Sequence, residues 1–532
     1  MIAFRCPHCG GDISYDPSEG KIVCAYCDSV LTLDEVNNSL KDKSTYLTHL
    51  LECTQCGAKI YATDTTTATF CSFCGSSVVL SERLVEEKKP DYIIPFKVSK
   101  AKAVKSYKEK IRKTLLAPDW LTEEGNVEKF RGIYMPFTLF SYKYHGKYTG
   151  PGTMSFVDRR GRTDYDVYRE YELQDAPVTV DYNFLPVDGS SAFPDSMSRA
   201  VLPYTNRKLI PFDYPYYAGF YADSADVDMH IYEDKYRSLV ERDISERRNL
   251  SSAGISVDPV NILKDIKLEQ QTESASFPVW FLSIRNKKRI SYAAVNGETG
   301  EIAADIPIDF VKFLRFALIL AGLFSIVFNL LFTLTPGKLM AIASVTAFAQ
   351  LLMAGELIND TYRRSRHLDD AGYSGVDQDK IVVNKSALKS RSTLNIALRF
   401  IFRFIVGTFI WILSVGLLIV LDIESSFIIG VVPFALMIWF IAAGVFNYRG
   451  YRIKKKNAPF LYKLAVQIKP IAAIVVNLYM KAVYPNQDEI LYAAVLFGIL
   501  MIILTSLDVI RMQNRFTMRD LPLFTEKRGG DR

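Results

Sequence analysis

Residues 6–27 read CPHCGGDISYDPSEGKIVCAYC, and residues 53–74 read CTQCGAKIYATDTTTATFCSFC. Each stretch carries two Cys-x-x-Cys pairs with fourteen residues between them, so the same module occurs twice. A Cys-x-x-Cys turn places two sulfurs on one side of the backbone, and two such turns complete the tetrahedral thiolate shell that structural zinc prefers. The sequence therefore predicts two small β zinc ribbons, each with a β-hairpin between its turns.

The predicted metal ligands are the eight cysteines of the chain, four for each of two structural Zn(2+) ions: Cys6, Cys9, Cys24 and Cys27, then Cys53, Cys56, Cys71 and Cys74. Four thiolates leave no position for water or substrate, so neither ion is expected to take part in catalysis. A redox dithiol or an iron–sulfur cluster fits less well, because each pair has a partner pair. His8 could compete as a ligand, although four cysteines favour an exposed histidine.

The residue that follows each pair carries a second signal. It is glycine in three of the four turns, Gly10, Gly57 and Gly75, and aspartate in the other, Asp28. A turn of this kind often ends on a residue with positive φ, which glycine adopts without strain. We therefore expect a left-handed residue after each pair.

Composition indicates that soluble and membrane parts share this chain of 532 residues. Hydrophobic residues make up 49% and charged residues 23%, and most long apolar runs follow Asp309. The net charge of +6 fits basic cytoplasmic loops better than nucleic-acid binding. Because metal-binding thiolates need a reducing compartment and the first ten residues hold no apolar run, we expect a cytosolic N-terminus.

Residues 86–308 are predicted to form a soluble α+β domain with an internal two-fold repeat, about 90–200 and 201–308. The motif IIPF at 93–96 precedes a helix and then MPF at 135–137, while LIPF at 209–212 precedes a helix and then FPV at 277–279. The many tyrosines and phenylalanines are interpreted as core rather than as a platform for base stacking.

Two amphipathic helices are predicted in this domain. The first follows Ser99 as N-cap and shows an apolar stripe at Val104, Tyr107, Ile111 and Leu115. It is strongly basic and could contact anionic lipid or nucleic-acid phosphate, although such a run is more often a solvated face. The second helix is predicted near residues 226–249.

No catalytic motif occurs in the sequence. It lacks a Walker A loop, a dinucleotide-binding glycine motif and a His-Glu-x-x-His pair, and the histidines other than His8 are scattered. We therefore expect no enzymatic activity, no catalytic residues and no cofactor other than zinc.

Residues 309–512 are predicted to form an α-helical transmembrane bundle of six helices, at 313–334, 339–358, 396–421, 427–446, 464–484 and 490–510. Basic residues cluster in alternate loops and in the tail at 513–532, so both termini are expected in the cytoplasm. An interfacial helix at 464–484 is the alternative, and it would leave the basic tail outside. Transporters usually carry ionisable or strongly polar residues within their membrane helices, and such residues are sparse in these six segments. Scaffolding is therefore favoured over transport.

The predicted fold is therefore multi-domain, with segments in this order: zinc ribbon 1 at 1–36, a linker and zinc ribbon 2 at 37–85, the soluble α+β domain at 86–308, the transmembrane domain at 309–512 and the basic cytosolic tail at 513–532.

The chain resembles the bacterial TFIIB-type zinc ribbon-containing membrane proteins of the YdjG type. The resemblance covers roughly the first 310 residues and lies in the cysteine turns, in IPF at 94–96, in GIYMPF at 132–137 and in VNGETG at 295–300. It implies a setting with PspA-like or SPFH-type membrane proteins as partners. Members are often described as similar to primosomal helicases, which the missing nucleotide-binding loop contradicts.

The leading hypothesis is a non-enzymatic scaffold in the cell (plasma) membrane that presents two zinc ribbons to the cytosol and recruits protein partners, with a role in envelope stress as one setting for it. A membrane-tethered nucleic-acid-binding protein is the alternative, and a transporter is the second alternative. Membrane lipid is expected as a partner in every case.

Overall fold

The computed structural model of the chain describes residues 5–38, 45–62, 71–76, 81–160, 163–205, 208–246, 256–257, 268–331, 335–365, 367–374, 380–383, 451–454 and 458–522. The chain divides into two compact units. Unit 1 comprises Met1–Ile306, Arg366–Ile381 and Met518–Arg532, and unit 2 comprises Pro307–Ser365 and Val382–Thr517.

Ribbon 1 forms a small antiparallel sheet of its own. Strands β1 (Ile13–Asp16) and β2 (Lys21–Cys24) make the predicted hairpin between the cysteine turns, and β3 (Val30–Leu31) pairs with β2. Helix α1 (Leu33–Asn38) follows. The hairpin buries Ile13 and exposes its alternate residues, as expected for a strand with one face on a core.

Ribbon 2 does not form a separate sheet. Its strands β4 (Thr45–Glu52), β5 (Lys59–Ala62) and β6 (Ser81–Lys88) pair with one another and join the large sheet of unit 1. The rest of the hairpin expected between Cys56 and Cys71 lies outside the described residues. One compact unit includes both ribbons and the α+β region, and the domain boundary at residue 85 stays a prediction.

The α+β region supplies most of the thirteen-stranded sheet. Its strands are β7 (Tyr92–Ile93), β8 (Arg131–Arg160), β9 (Thr163–Asp188), β10 (Ile210–Pro211), β11 (Tyr221–Asp223), β12 (Ser256–Val257), β13 (Glu269–Asn286), β14 (Arg289–Asn296) and β15 (Ile302–Ala304). Its helices are α2 (Lys100–Arg112), α3 (Glu124–Val127), α4 (Asp195–Ala200) and α5 (His230–Glu246). Both predicted helices are therefore present.

The corresponding motifs of the two half-regions pair with each other. Strand β7 lies antiparallel to β10, with Ile93 opposite Ile210, and Met135 of β8 lies opposite Phe277 of β13. The two-fold repeat itself stays a prediction.

The prediction for one residue of the apolar stripe on the first helix, Leu115, is wrong. Helix α2 begins after Ser99 and buries Tyr107 and Ile111 as expected, but it ends at Arg112. Leu115 lies beyond that end and is 81% exposed. The spacing rule for a helix does not apply to a residue outside the helix.

Aromatic side chains fill much of the core, as predicted, whereas the tyrosines of one strand are exposed. Phe96 stacks on Phe220 at 4.2 Å between ring centroids and lies 5.2 Å from Trp280. The alternating stretch at 165–173 does form a strand, but there β9 is exposed, with Tyr168 71% accessible. Alternation therefore indicated the strand correctly without indicating a buried face.

The described residues of the second half of the chain form the helices α6 (Phe310–Leu331), α7 (Pro336–Ser365), α8 (Ala371–Ser374), α9 (Phe460–Val483) and α10 (Asp488–Thr517). Its strands are β16 (Lys380–Val383) and β17 (Tyr451–Lys454), which pair with each other, and β18 (Arg519–Asp520). Helices α6, α7, α9 and α10 cover four of the predicted spans. The predicted spans at 396–421 and 427–446 lie outside the described residues.

In unit 2, helices α7, α9 and α10 pack together. Polar side chains join them: the buried Asn477 donates to Ser344 at 3.1 Å, and the partly buried Gln350 donates to Ser506 at 2.8 Å. Lys469, within the fifth predicted span, forms an ion pair with Asp508.

Within the described residues, two helices are long and apolar enough to cross a membrane, Lys463–Val483 and Asp488–Thr517. Only 17% and 28% of their most apolar stretches are buried, so most of that apolar surface faces outward. Such exposure differs from that of a core helix in a soluble protein.

Two segments from the second half of the chain fold into unit 1. Strand β18 pairs with β14, and the fully buried Arg519 donates to both carboxylate oxygens of Asp369 at 3.1 and 3.0 Å. The backbone N–H of Ala371 donates to Asp195. In the segment 513–532, which the sequence analysis predicted as a basic tail, helix α10 continues to Thr517, and Arg519 and Asp520 form strand β18, with the Arg519 side chain buried.

Candidate metal centres

All four cysteine turns share one backbone geometry. In each, the residue after the second cysteine donates its N–H to the carbonyl of the first cysteine, at 2.7–3.0 Å. That residue has positive φ in every case: 72° at Gly10, 52° at Asp28, 74° at Gly57 and 64° at Gly75. The expectation of a left-handed residue is confirmed, and Asp28 adopts at some cost a conformation that glycine adopts freely.

The turns of ribbon 1 bring four sulfurs together. The Sγ atoms of Cys6, Cys9, Cys24 and Cys27 all lie within 4.8 Å of one another, and two of the separations are 3.7 Å for Cys6–Cys27 and 3.5 Å for Cys9–Cys24. A tetrahedron with Zn–S bonds near 2.3 Å has edges of roughly 3.8 Å. The cluster therefore has the size that one zinc ion requires.

Ribbon 2 repeats this arrangement with the cysteines Cys53, Cys56, Cys71 and Cys74. The Cys53–Cys74 and Cys56–Cys71 separations are both 3.8 Å. All eight predicted ligands thus fall into two four-sulfur clusters, each compatible with one zinc ion. His8 is exposed and belongs to neither cluster.

Two serines next to the ligands were missed by the sequence analysis. The Ser29 hydroxyl lies 2.9 Å from the sulfur of Cys27, and the Ser76 hydroxyl lies 3.0 Å from that of Cys74. Both serines occupy the second position after the second turn of their ribbon, so an alignment of CAYCDS with CSFCGS would have found them. A hydroxyl that donates to a thiolate stabilises the charged sulfur that binds metal.

The electrostatics of both clusters favour a cation. The hydrogen bond from Ser29 lowers the pKa of Cys6 to about 6 and is also the main reason that the pKa of Cys27 is lowered. In ribbon 2, hydrogen bonding between the sulfurs lowers the pKa of Cys53 and raises that of Cys56. Four thiolates at these separations repel one another, so full ionisation requires a bound metal ion.

The two clusters differ in their surroundings. All four cysteines of ribbon 2 are at most 3% exposed and belong to a core that includes Phe281. Tyr292 donates to the carbonyl of Phe73, inside the second turn, at 2.9 Å. The second cluster is therefore built into the core of unit 1.

The first cluster lies at the surface of unit 1. Cys9 and Cys27 are exposed, and Tyr26, between Cys24 and Cys27, is 78% accessible. Its ring lies across Gly11, where an added Cβ would come within 2.6 Å of it. Tyr15 anchors the ribbon, since its N–H donates to the carbonyl of Ala218 at 3.0 Å.

The other histidines do not build a third metal site in the described part of the chain. His145 pairs with Asp181 and His230 with Glu233, both near the surface, while His367 contacts the carbonyl of Asp520. The side chain of His49 lies outside what the structure describes. Within the described residues, only the two cysteine clusters group three or more possible metal ligands within 4.8 Å.

Comparisons with known proteins give one match, which covers part of the chain. No family profile matches the sequence, and no solved structure matches it either. The chain is 26% identical over 316 residues to a Bacillus subtilis (strain 168) protein named uncharacterized protein YdjG, and the match covers 58% of this chain and 91% of that protein. This chain is therefore a distant relative of YdjG over somewhat more than half of its length.

Proposed function

We propose that the chain is a non-enzymatic integral membrane protein of the cell membrane that holds two structural zinc ribbons in the cytosol and recruits protein partners there. The observation that supports this proposal most strongly is the position of ribbon 1, whose sulfur cluster lies at the surface of unit 1 beside an exposed tyrosine. Ribbon 2 has a different role, because its buried cluster stabilises the unit that carries ribbon 1.

The exposed surface of ribbon 1 has the character of a protein-binding site. Tyr26, inside the second metal turn, is 78% exposed, and Val30, three residues after that turn, is 55% exposed. Aromatic side chains with little freedom to lose contribute strongly to protein interfaces. The zinc ion fixes the turn, and Gly11 admits the Tyr26 ring against the backbone.

The chain path supports an even number of membrane crossings. Residues before 307, residues 366–381 and residues after 517 belong to one folded unit, so each intervening stretch leaves that unit and returns to it. Helices α6 and α7 account for two crossings, at about 33 and 45 Å in length. The stretch 382–517 then needs an even number of crossings. The four predicted spans satisfy this condition, whereas the alternative with an interfacial helix at 464–484 leaves three spans and does not.

In the proposed topology both termini and both ribbons lie in the cytoplasm, where thiolates stay reduced. The basic residues of the loop after α7 and of the C-terminal tail would then lie inside, as the positive-inside rule expects. PspA-like and SPFH-type membrane proteins, which the family resemblance implies, are the first partners to test.

The test is an affinity capture of the full-length protein, solubilised in detergent, with the Tyr26→Ser/Val30→Ser variant beside it. We expect a specific partner to be lost from the variant while its zinc content stays at two ions per chain. Tyr168→Ser is the matched control, because this tyrosine is 71% exposed in the same unit but far from ribbon 1 in sequence.

A partner retained equally by all three proteins would contradict recruitment through ribbon 1. Binding that disappears steeply with rising salt and with nuclease treatment would instead favour the nucleic-acid alternative. Labelling of an epitope at the N-terminus from outside the cell would contradict the topology.

A further inference from the structure

Helix α2 holds the largest charge concentration in unit 1. Seven basic residues and one acidic residue occupy positions 100–113, which gives this segment a net charge of +6. The whole chain has the same net charge, so the remaining residues balance one another. A concentrated charge of this kind produces a strong local field and attracts a partner of opposite charge.

The packing of α2 turns this charge toward solvent. Ala103, Tyr107 and Ile111 are buried against unit 1 and fix the rotation of the helix. At 3.6 residues per turn, the opposite side carries one acid, Glu109, among four cations, all exposed: Lys102, Lys105, Arg112 and Lys113. We call these four cations the α2 face.

The protein itself does not neutralise the α2 face. In the described part of the chain, none of its four cations forms an ion pair, whereas nearby Lys97 pairs with Glu298 at 3.3 Å. Exposed Lys and Arg side chains that lack intramolecular partners remain available for an external anionic surface.

We infer that the α2 face binds the anionic phospholipid headgroups of the membrane in which the chain sits. The inference rests on the proposed function, because that function anchors unit 1 to a bilayer. Helix α2 packs against β14 and β15, and only five residues separate β15 from the apolar helix α6. Such a segment reaches about 20 Å at most, so unit 1 stays near a membrane surface whatever its orientation.

The side chains around the face favour lipid over nucleic acid. None of the exposed residues between positions 100 and 113 is aromatic, so this segment offers no ring on which a base could stack. Leu115, just beyond the helix, is instead an aliphatic side chain that is 81% exposed. An exposed leucine beside several cations is typical of segments that lie at a lipid interface.

The test uses the full-length protein in nanodiscs of phosphatidylcholine alone or of phosphatidylcholine with phosphatidylglycerol. An amine-acylating reagent modifies accessible lysines, and peptide mass spectrometry gives the rate at Lys102, Lys105 and Lys113. We expect modification to slow by about fivefold or more in the anionic discs, since one cation near such a surface gains about that factor. High salt should restore the rate.

The Lys102→Glu/Lys105→Glu variant should lose the protection at Lys113. The matched control Lys287→Glu/Lys288→Glu makes the same change of charge in the exposed β13–β14 turn of the same unit. This control should keep the protection at Lys113. A zinc content of two ions per chain shows that each variant is folded.

Equal rates in both kinds of disc would overturn the inference, as would protection by an added oligonucleotide but not by anionic lipid. Either result is distinguishable from failure of the proposed function. A protein that resists carbonate extraction and still captures its partner, yet shows equal rates, contradicts only the lipid contact.

Discussion

The different surroundings of the two cysteine clusters lead to different consequences when either cluster is broken. Cys56 is 1% exposed and lies in the core of unit 1, whereas Cys9 is exposed in a ribbon whose sheet pairs only with itself among the described strands. We expect Cys56→Ser to unfold unit 1 and Cys9→Ser to unfold ribbon 1 alone. Each variant should bind no more than one zinc ion.

The expected magnitude follows from where each cluster lies. Structural zinc contributes about 10–16 kcal/mol in small zinc domains, and a typical domain has a stability of about 5–15 kcal/mol. Loss of the core cluster therefore removes free energy comparable to the stability of the whole unit. Loss of the surface cluster removes a comparable free energy from ribbon 1, together with the contacts by which its buried residues Ile13, Ile22 and Leu31 join the neighbouring core of unit 1. Among the described strands, those of ribbon 1 do not pair with the large sheet, so that sheet should stay folded.

The assay combines elemental analysis of zinc with amide hydrogen exchange of β13, the strand at the centre of the unit 1 sheet. Exchange in β13 should accelerate by several orders of magnitude in Cys56→Ser and stay unchanged in Cys9→Ser. Unchanged protection in Cys56→Ser, or loss of both zinc ions in Cys9→Ser, would refute the reasoning.

Further predictions concern single side chains in unit 1. Gly57→Ala places a Cβ on a residue with φ of 74° and should cost about 1–2 kcal/mol, measured as a lower melting temperature of the zinc-loaded protein. Ser76→Ala removes the hydroxyl beside a ligand and should weaken zinc binding about tenfold in a competition titration with a chelator. Burial and neighbouring acids raise the pKa of Asp188 in the folded protein well above its ordinary value of 3.8. The folded state is therefore most stable where Asp188 is protonated, and it loses stability as the pH rises above 3.8. Asp188→Asn, which stays neutral, should raise the melting temperature at pH 7 but not at pH 4. Arg519→Met leaves Asp369 without its buried partner and should destabilise unit 1 by about 3–5 kcal/mol in denaturant unfolding.

The cluster geometry was predictable because it depends on local sequence. Two sulfurs two residues apart, followed by a left-handed residue, form the same turn four times in this chain. The positions of Ser29 and Ser76 follow from the same local repeat, although comparison of the two modules is needed to see them. The apolar helices were predictable for a similar reason, because length and composition decide whether a helix can cross a bilayer.

The placement of these elements depended on contacts between distant residues. Sequence alone determined that two four-cysteine modules precede an α+β region and a set of apolar helices. Only the tertiary structure decided that ribbon 2 belongs to the core, through pairing of β5 with β11, and that Arg519 is buried rather than part of a solvated tail. The physical reason is that metal coordination and helix formation depend on nearby residues, whereas burial depends on partners that the fold brings together from far along the chain.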